Sequence, residues 1–348
     1  MTDSDPPTAP VHRRRPRYAG KHPRKFAQKY KELNPEAYPD TVARVRAAGK
    51  TPAGSHVPIM VAEILGVLRP IPGERMVDCT LGHGGHALEI WRRLQPGGVL
   101  LGLDVDPLEQ PRTEVRLRSL GAGEDSLILR RTNFAGLPQA LSSVGWAGVD
   151  GLLADLGLSS MQIDRPERGF SVKHDGPLDM RMNPQRGRPA ADVLASVDAD
   201  TLADWLRDHA DEPRSTDLAN HLAGKRLPGT RDLAAAVRTV LRRLPHEEQE
   251  RSVRRVFQAL RIAVNDEFEA LESLLRHLPA VLNPGGRVAL LSFHSGEDRR
   301  VKKALETGKR EGIYSDIADG PVRPSPVEER GNSRAKPAKL RWAVRAIR

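Results

Sequence analysis

The 348-residue sequence predicts an α/β fold: a mainly parallel sheet with helices on both faces and a helical insertion between two of its strands. Two observations carry this. Short apolar runs alternate with helical patterns along most of the chain, and two of these runs end in aspartates beside a glycine-rich turn. Strand, glycine turn, helix, strand is a βαβ unit, and its strands are parallel.

Taken in order, Val61, Ile64, Leu65 and Leu68 follow the i, i+3, i+4, i+7 spacing of a helix that Pro70 ends, so order should begin near Ser55 and His56. A strand is expected over Arg75 to Cys79, followed by a glycine turn and a helix starting near His86. The next strand, Val99 to Leu103, runs into Asp104 and Asp106. Further strands are expected at Leu127 to Leu129, Val149 to Ala154 and Val288 to Ser292, with a helix over Leu271 to Leu282. The stretch Arg168 to Pro189 carries Gly, Pro and Met without a sheet pattern. Helical segments follow around Ala191 to Asp208 and Thr230 to Leu244. The expected organisation is therefore a basic, disordered extension over 1–50, a cofactor-binding part over 51–163, a helical insertion over 164–255 and a C-terminal part with a basic tail over 256–348.

Composition narrows the class. No run of about 18 apolar residues is present and no apolar signal core opens the chain, which argues against a membrane span and points to the cytoplasm. Cys79 is the only cysteine, so neither an internal disulfide nor a thiolate zinc cluster can form, and no metal is expected. The net charge of +10 sits at the ends. Residues 1–50 hold 12 Lys/Arg against 5 Asp/Glu and residues 321–348 hold 8 against 2, while the middle is nearly balanced. Basic ends on a neutral body favour a polyanionic partner, because each phosphate contacted releases condensed counterions. A solubilising tail is the plain alternative.

The segment Asp78-Cys79-Thr80-Leu81-Gly82-His83-Gly84-Gly85-His86 puts three glycines after a strand and before a helix, where the backbone turns tightly and approaches a ligand closely. Asp104 ends the following strand, placed to accept both ribose hydroxyls of an adenosine-bearing cofactor. The glycine spacing departs from the dinucleotide G-x-G-x-x-G, and Asp78 precedes the loop. That suits a cofactor without pyrophosphate and with a cationic amino-acid end, S-adenosyl-L-methionine rather than NAD. His83 is a candidate ligand contact or only a polar cap. The strand from Val149 ends in Asp155-Leu156-Gly157-Leu158-Ser159-Ser160-Met161-Gln162; in an open α/β sheet Asp155 then faces the same crevice as Gly84 and Asp104. Taken alone, Asp-Leu-Gly at a strand end is commonly just a turn.

Several collinear stretches make the sequence resemble the bacterial small-subunit (16S) ribosomal RNA cytosine-N4 methyltransferase family, RsmH or MraW. They are HVPIM from His56, VDCTLGHGGH from Val77, LGLDVDP from Leu101, DLGLSSMQID from Asp155, RGFSVKHDGPLDMRMNP from Arg168, VFQALRIAVNDEFEALE from Val256 and NPGGRVALLSFHSGEDRRVK from Asn283, with NSRAKPAKLR from Asn332 as a closing basic segment. DEPRSTDLANHLAGK from Asp211 fits only loosely, and residues 1–50 are an extension. The resemblance implies a class I S-adenosyl-L-methionine-dependent methyltransferase fold, Rossmann-like, with a helical insertion for RNA recognition. It implies that Gly84, Gly85 and His86 contact the cofactor, that Asp104 binds its ribose and Phe134 lies at its adenine, and that Asp155 and Gln162 complete the pocket. The implied reaction is methylation of N4 of one cytidine in the decoding (P-site) region of 16S ribosomal RNA, the partner being that RNA within the small ribosomal subunit.

The chemistry then asks for an acceptor on the cytosine amino group. Asp155, Ser159, Ser160 and His294 are the candidates, the last in Ser292-Phe293-His294-Ser295 at a strand end. Phe293 and Phe170 are candidates to stack on a splayed base, the alternative for Phe170 being core packing. Arg168, Lys173, Arg181, Arg186 and Arg188 are candidates for phosphates, or an ordinary charged surface. Three other readings remain: a methyltransferase of another target, although Asp155-Leu-Gly-Leu stands where amino-methylating DNA enzymes carry D/N-P-P-Y/F; a non-catalytic RNA-binding assembly factor; and, more remotely, an NAD-dependent oxidoreductase.

Overall fold

The computed structural model describes residues 58–347, so the extension over 1–50 and the expected start of order at Ser55 lie outside the described residues. Helix α1 (Val61–Leu68) buries Ile64 and Leu68, as its spacing dictates, and stops before Pro70. Strand β1 (Arg75–Asp78), helix α2 (Gly85–Leu94) and strand β2 (Val99–Asp104) form the expected βαβ unit. Then come α3 (Gln110–Ser119), β3 (Leu127–Arg131), a single 3₁₀ turn over Phe134–Gly136, α4 (Leu137–Ser142), β4 (Val149–Asp155) and the one-turn α5 (Ser160–Ile163).

The chain then leaves the sheet. Helices α6 (Ala190–Ser196), α7 (Ala199–Ala210), α8 (Ser215–Leu222), α9 (Thr230–Val240) and α10 (His246–Asn265) follow before it returns. The single helical stretch expected over Ala191 to Asp208 is two helices, because Asp198 accepts the N–H of Thr201 and restarts the helix as its N-cap. These helices close on a core of their own that includes Leu178, Met180, Leu202, Leu222, Leu233, Val256 and Leu260. That core runs past the boundary expected at 255. Helix α10 is continuous through it and ends only where Asp266 turns left-handed, with φ 49°.

Helix α11 (Glu267–Val281) brings the chain back to the sheet, burying Leu271, Leu274 and Leu278 against the strands, and leads directly into β5 (Leu282–Ser292). Helix α12 (Ser295–Arg310), β6 (Tyr314–Ile317), α13 (Pro326–Gly331) and β7 (Lys339–Arg345) complete the fold. The sheet order is β3-β2-β1-β4-β5-β7-β6, with β1 to β5 parallel and β7 antiparallel to both of its neighbours. This is the class I, Rossmann-like arrangement.

Strands β6 and β7 were absent from the sequence expectation, which treated the C-terminal segment as a basic tail. The segment is an inner strand: Leu340 and Ala343 are fully buried. Two of its cations are paired, Lys339 and Arg341 both meeting Asp298, at 3.0 and 2.6 Å. Lysine and arginine at these positions stabilise the sheet edge of α12 and are not free charges of a tail. Among the described residues no helix is long and apolar enough to cross a membrane.

Candidate active site

Strand order reverses between β1 and β4, because the chain steps outward to β2 and β3 on one side and to β5 on the other. The crevice at the carboxyl ends of strands at such a reversal is where open α/β sheets bind ligands. Asp78 ends β1, Asp104 ends β2 and Asp155 ends β4, so three carboxylates line one edge of the sheet.

Each carboxylate is held differently. Asp78 is buried and accepts the N–H of Thr80 at 3.0 Å. Asp104 accepts two backbone N–H groups, from Gly82 at 2.7 Å and Asp106 at 2.7 Å, and thereby fixes the glycine loop against the turn after β2. The Asp155 carboxylate accepts no hydrogen bond from any described residue; its backbone N–H donates to Thr80 Oγ1 at 2.6 Å. Burial drives all three pKa values up. Asp78 rises to about 6, although the neighbouring His86 opposes the shift; Asp104 rises to about 6, against the pull of its two backbone donors; and Asp155 rises to about 7, with the charge of Glu297 adding to the effect. A cationic, hydrogen-bond-donating ligand in this crevice would relieve those costs.

His86 is buried, and its Nε2–H donates to the Ile59 carbonyl at 2.8 Å. That bond fixes the tautomer and leaves Nδ1 facing Asp155 Oδ2 at 3.6 Å. The glycines are tight for a reason the sequence does not show. A Cβ on Gly84, whose φ is +68°, would lie 2.8 Å from Thr113 Cγ2, and one on Gly85 would lie 2.9 Å from Pro58 Cγ. Protein packing from α3 and the segment before α1 therefore demands glycine at both positions, independently of any ligand.

The other expected site residues are more committed to the protein than their types suggest. Gln162 is buried; its Oε1 accepts the N–H of Ser159 at 3.0 Å and its Nε2 donates to Asp106 at 3.0 Å. Ser159 Oγ accepts the N–H of Gln162 at 3.2 Å, so the two residues form a reciprocal cap at the start of α5. The side chain of Ser160 lies outside the described residues. Phe134 is half-buried in the turn after β3 and packs on the main core.

His294 is the N-cap of α12. Its Nδ1 accepts the N–H of Glu297 at 3.4 Å and its Nε2 lies 3.1 Å from Glu297 Oε1, close but poorly aligned for a hydrogen bond. Glu297 in turn accepts the N–H of Phe293 at 2.8 Å. Burial of Glu297 opposes its ionisation, yet His294, the charge of Arg261 and the Phe293 N–H together hold its carboxyl below the usual value. Phe293 is half-buried beside this cap.

Among the candidate phosphate contacts, Arg168 is corrected outright: it is 4% exposed and pairs with the fully buried Asp106 at 2.8 Å. Its remaining N–H groups reach the carbonyls of Arg181 at 3.1 Å and Met182 at 2.8 Å, and its guanidinium lies 5.7 Å from the Phe170 ring centre. Phe170 also packs on the insertion core. Arg181 is paired with Asp179 at 2.7 Å and Arg188 with the Asp192 carbonyl at 2.7 Å, whereas Lys173 and Arg186 are exposed. Sequence reasoning missed Asp106 and Glu297. The first stands two residues beyond Asp104, and the second stands three residues beyond His294 at the spacing of a helix cap, which is the signal that identifies it.

The model of the MraW methylase family matches residues 53–346 of this chain. The chain belongs to that family. Among relatives, ribosomal RNA small subunit methyltransferase H 1 of Agathobacter rectalis is 46% identical over 96% of this chain and 98% of its own length. Ribosomal RNA small subunit methyltransferase H 2 of Alkaliphilus metalliredigens is 48% identical over 96% and 97%. A solved putative rRNA-methylase from Clostridium thermocellum aligns with a TM-score of 0.41 at 10% identity, covering 84% of this chain and 98% of that one. The methyl donor of this methylase is S-adenosyl-L-methionine. The crevice suits it: the cofactor carries a sulfonium, an ammonium and ribose hydroxyls, and the sheet edge offers three carboxylates with elevated pKa values, one of them without a donor.

Proposed function

We propose that this protein methylates N4 of a cytidine in the decoding (P-site) region of 16S ribosomal RNA, acting on the RNA within the small ribosomal subunit. The observation that carries the reading is the Asp155 carboxylate: it stands at the β1/β4 reversal with no hydrogen-bond donor from the protein, its pKa raised by burial. The names of the full-length relatives support ribosomal RNA as the substrate class.

S-adenosyl-L-methionine supplies an already activated methyl group, so most of the rate comes from aligning the nitrogen that receives it. The cytosine amino lone pair is delocalised into the ring. A carboxylate accepting an N4–H bond favours the pyramidal nitrogen that can attack, and Asp155 takes the proton the amine sheds once the new N–C bond has formed. Burial raises its pKa to about 7 in the ligand-free protein and the cationic cofactor favours the ionised form, so the carboxylate is ready to accept the proton. Asp104 binds the ribose hydroxyls, with Gly84, Gly85, His86, Phe134 and Gln162 shaping the remainder of the pocket. Ser159 and His294 act on the site through the starts of α5 and α12, and Phe293, held by Glu297, stacks on the extruded base.

The helical insertion, from about 164 to the end of α10, carries RNA recognition. The extension over residues 1–50, whose formal charge is +7, adds phosphate contacts without reading bases. Incubating the purified protein with small-subunit RNA and S-adenosyl-L-methionine, then separating the nucleosides by mass spectrometry, tests the reading. N4-methylcytidine is the expected product; methyl on any other base or on protein would overturn it.

A further inference from the structure

Within the insertion an open groove of about 500 Å³ lies between α8 and the C-terminal end of α9. Asn220 and His221 line it from α8, Thr239 from α9, and Arg242 and Arg243 from the turn into α10, with Asp217 as its one acid. None of these residues belongs to the crevice at the sheet edge.

Several arginines of the insertion are held by acids. Arg226 pairs with Asp192 at 3.0 Å, Arg238 with Glu250 at 2.6 Å, Arg251 with Glu247 at 3.5 Å and Arg255 with Glu212 at 3.8 Å. Arg242 and Arg243, both exposed, have neither an ion pair nor a hydrogen bond among the described residues. Arg186, Arg214, Arg231 and Arg254 of the insertion are likewise exposed and unpaired among the described residues; Arg242 and Arg243 are the adjacent two that line the groove. At its edge Lys225 Nζ donates to His221 Nε2 at 3.2 Å, adding a third cation. Two basic residues at a helix C-terminus compensate the helix dipole, as Arg92 and Arg93 do at the end of α2, but Arg242 and Arg243 also face a groove that offers the Asn220 amide and the Thr239 hydroxyl oxygen, whose own proton goes to the Ala235 carbonyl at 2.9 Å. Cations with neutral hydrogen-bonding groups between them match phosphates spaced by ribose hydroxyls.

We propose that this groove binds the ribose–phosphate backbone of the RNA substrate, with Arg242 and Arg243 each neutralising one phosphate and Asn220 and Thr239 meeting the sugar. The proposal rests on the reading that RNA is the substrate and adds a second, sequence-independent foothold apart from the reacting base.

The test is a salt titration of 16S ribosomal RNA binding by the full chain and by its Arg242→Ala/Arg243→Ala variant. Each phosphate contact contributes about 0.7–0.9 to the slope of log affinity against log salt, so the variant's slope should be flatter by about 1.4–1.8. Between 50 and 200 mM salt the parent should therefore lose about tenfold more affinity than the variant. Affinity for S-adenosyl-L-methionine should be unchanged, and KM for RNA should rise while kcat holds. Arg242→Lys/Arg243→Lys should restore the slope, since a phosphate accepts a point charge. Equal slopes for parent and alanine variant would overturn the proposal. So would weaker binding to assembled subunits with an unchanged slope on bare RNA, which would mark the groove as a site for an acidic protein. If the parent itself neither binds nor methylates RNA, it is the substrate reading that fails, and the two failures are thus distinguishable.

Discussion

Replacing Arg168 by Met should be among the most damaging single changes in the chain, although the residue carries no chemistry. Asp106 is fully buried and Arg168 is 4% exposed, and the carboxylate Oδ2 receives both Arg168 Nη1 at 2.8 Å and Gln162 Nε2 at 3.0 Å. Removing the cation leaves a buried carboxylate with only Gln162 and the Leu108 N–H, and breaking a buried pair from one side costs about 3–5 kcal/mol. For a unit of this size, about 2 °C in Tm per kcal/mol gives a fall of about 6–10 °C. Urea unfolding followed by fluorescence and by circular dichroism measures the loss. The double variant Asp106→Asn/Arg168→Met removes the stranded charge while keeping an acceptor for Leu108, so it should recover about half of what the single variant lost. A cost below about 1 kcal/mol for Arg168→Met, or a double variant as unstable as the single, would refute the claim that an uncompensated buried charge sets the penalty.

The remaining predictions concern the crevice. Asp104→Ala should lower affinity for S-adenosyl-L-methionine at least about tenfold, since it removes charged acceptors worth about 1.5–3 kcal/mol per hydrogen bond; it should also lower Tm, because the Gly82 and Asp106 N–H groups lose their partner. Calorimetry showing unchanged affinity would take Asp104 out of the site. Asp155→Ala should reduce methyl transfer by at least about a hundredfold, the lower end for loss of a proton acceptor, and near-normal single turnover would exclude the role given to it. Asp78, Asp104 and Asp155 titrate higher in the folded protein, at about 6, 6 and 7, than their ordinary value of 3.8, so the folded state binds protons more tightly than the unfolded chain. Stability of the ligand-free protein should therefore fall as pH rises from about 4 through about 7. Over that same window, affinity for the cationic cofactor should rise and protons should be released, and an affinity independent of pH would contradict this assignment.

The parallel strands were legible because each holds a short apolar run, a pattern that burial on both sheet faces imposes, and β1, β2 and β4 end in an aspartate. Asp78, Asp104 and Asp155 followed directly, since strand ends at a reversal point into one crevice. The antiparallel β7 was not legible. Its sequence, KLRWAVR, alternates cations with apolar residues, and only the pairing of Lys339 and Arg341 with the distant Asp298 makes those cations compatible with an inner strand. The boundary expected at 255 falls inside α10, which keeps one helical period and packs Val253, Val256, Phe257 and Leu260 on the insertion core on both sides of it, so no change of pattern marks that position. For the residues whose types suggested chemistry, tertiary partners decide their part in the fold. Arg168 is fixed by Asp106, 62 positions earlier, and His294 by the start of its own helix. The glycine loop illustrates the same point from the other side, since its tightness is required by Thr113 and Pro58 as well as by any ligand.

The central claim is most directly tested on the RNA of cells from which this protein has been deleted, by mass spectrometry of 16S ribosomal RNA digested to nucleosides and to mapped fragments. N4-methylcytidine should disappear from a single position in the decoding region, return when the wild-type chain is supplied, and stay absent when the Asp155→Ala variant is supplied at equal abundance. An unchanged N4-methylcytidine content, or a methyl group lost from a different base, would contradict the account.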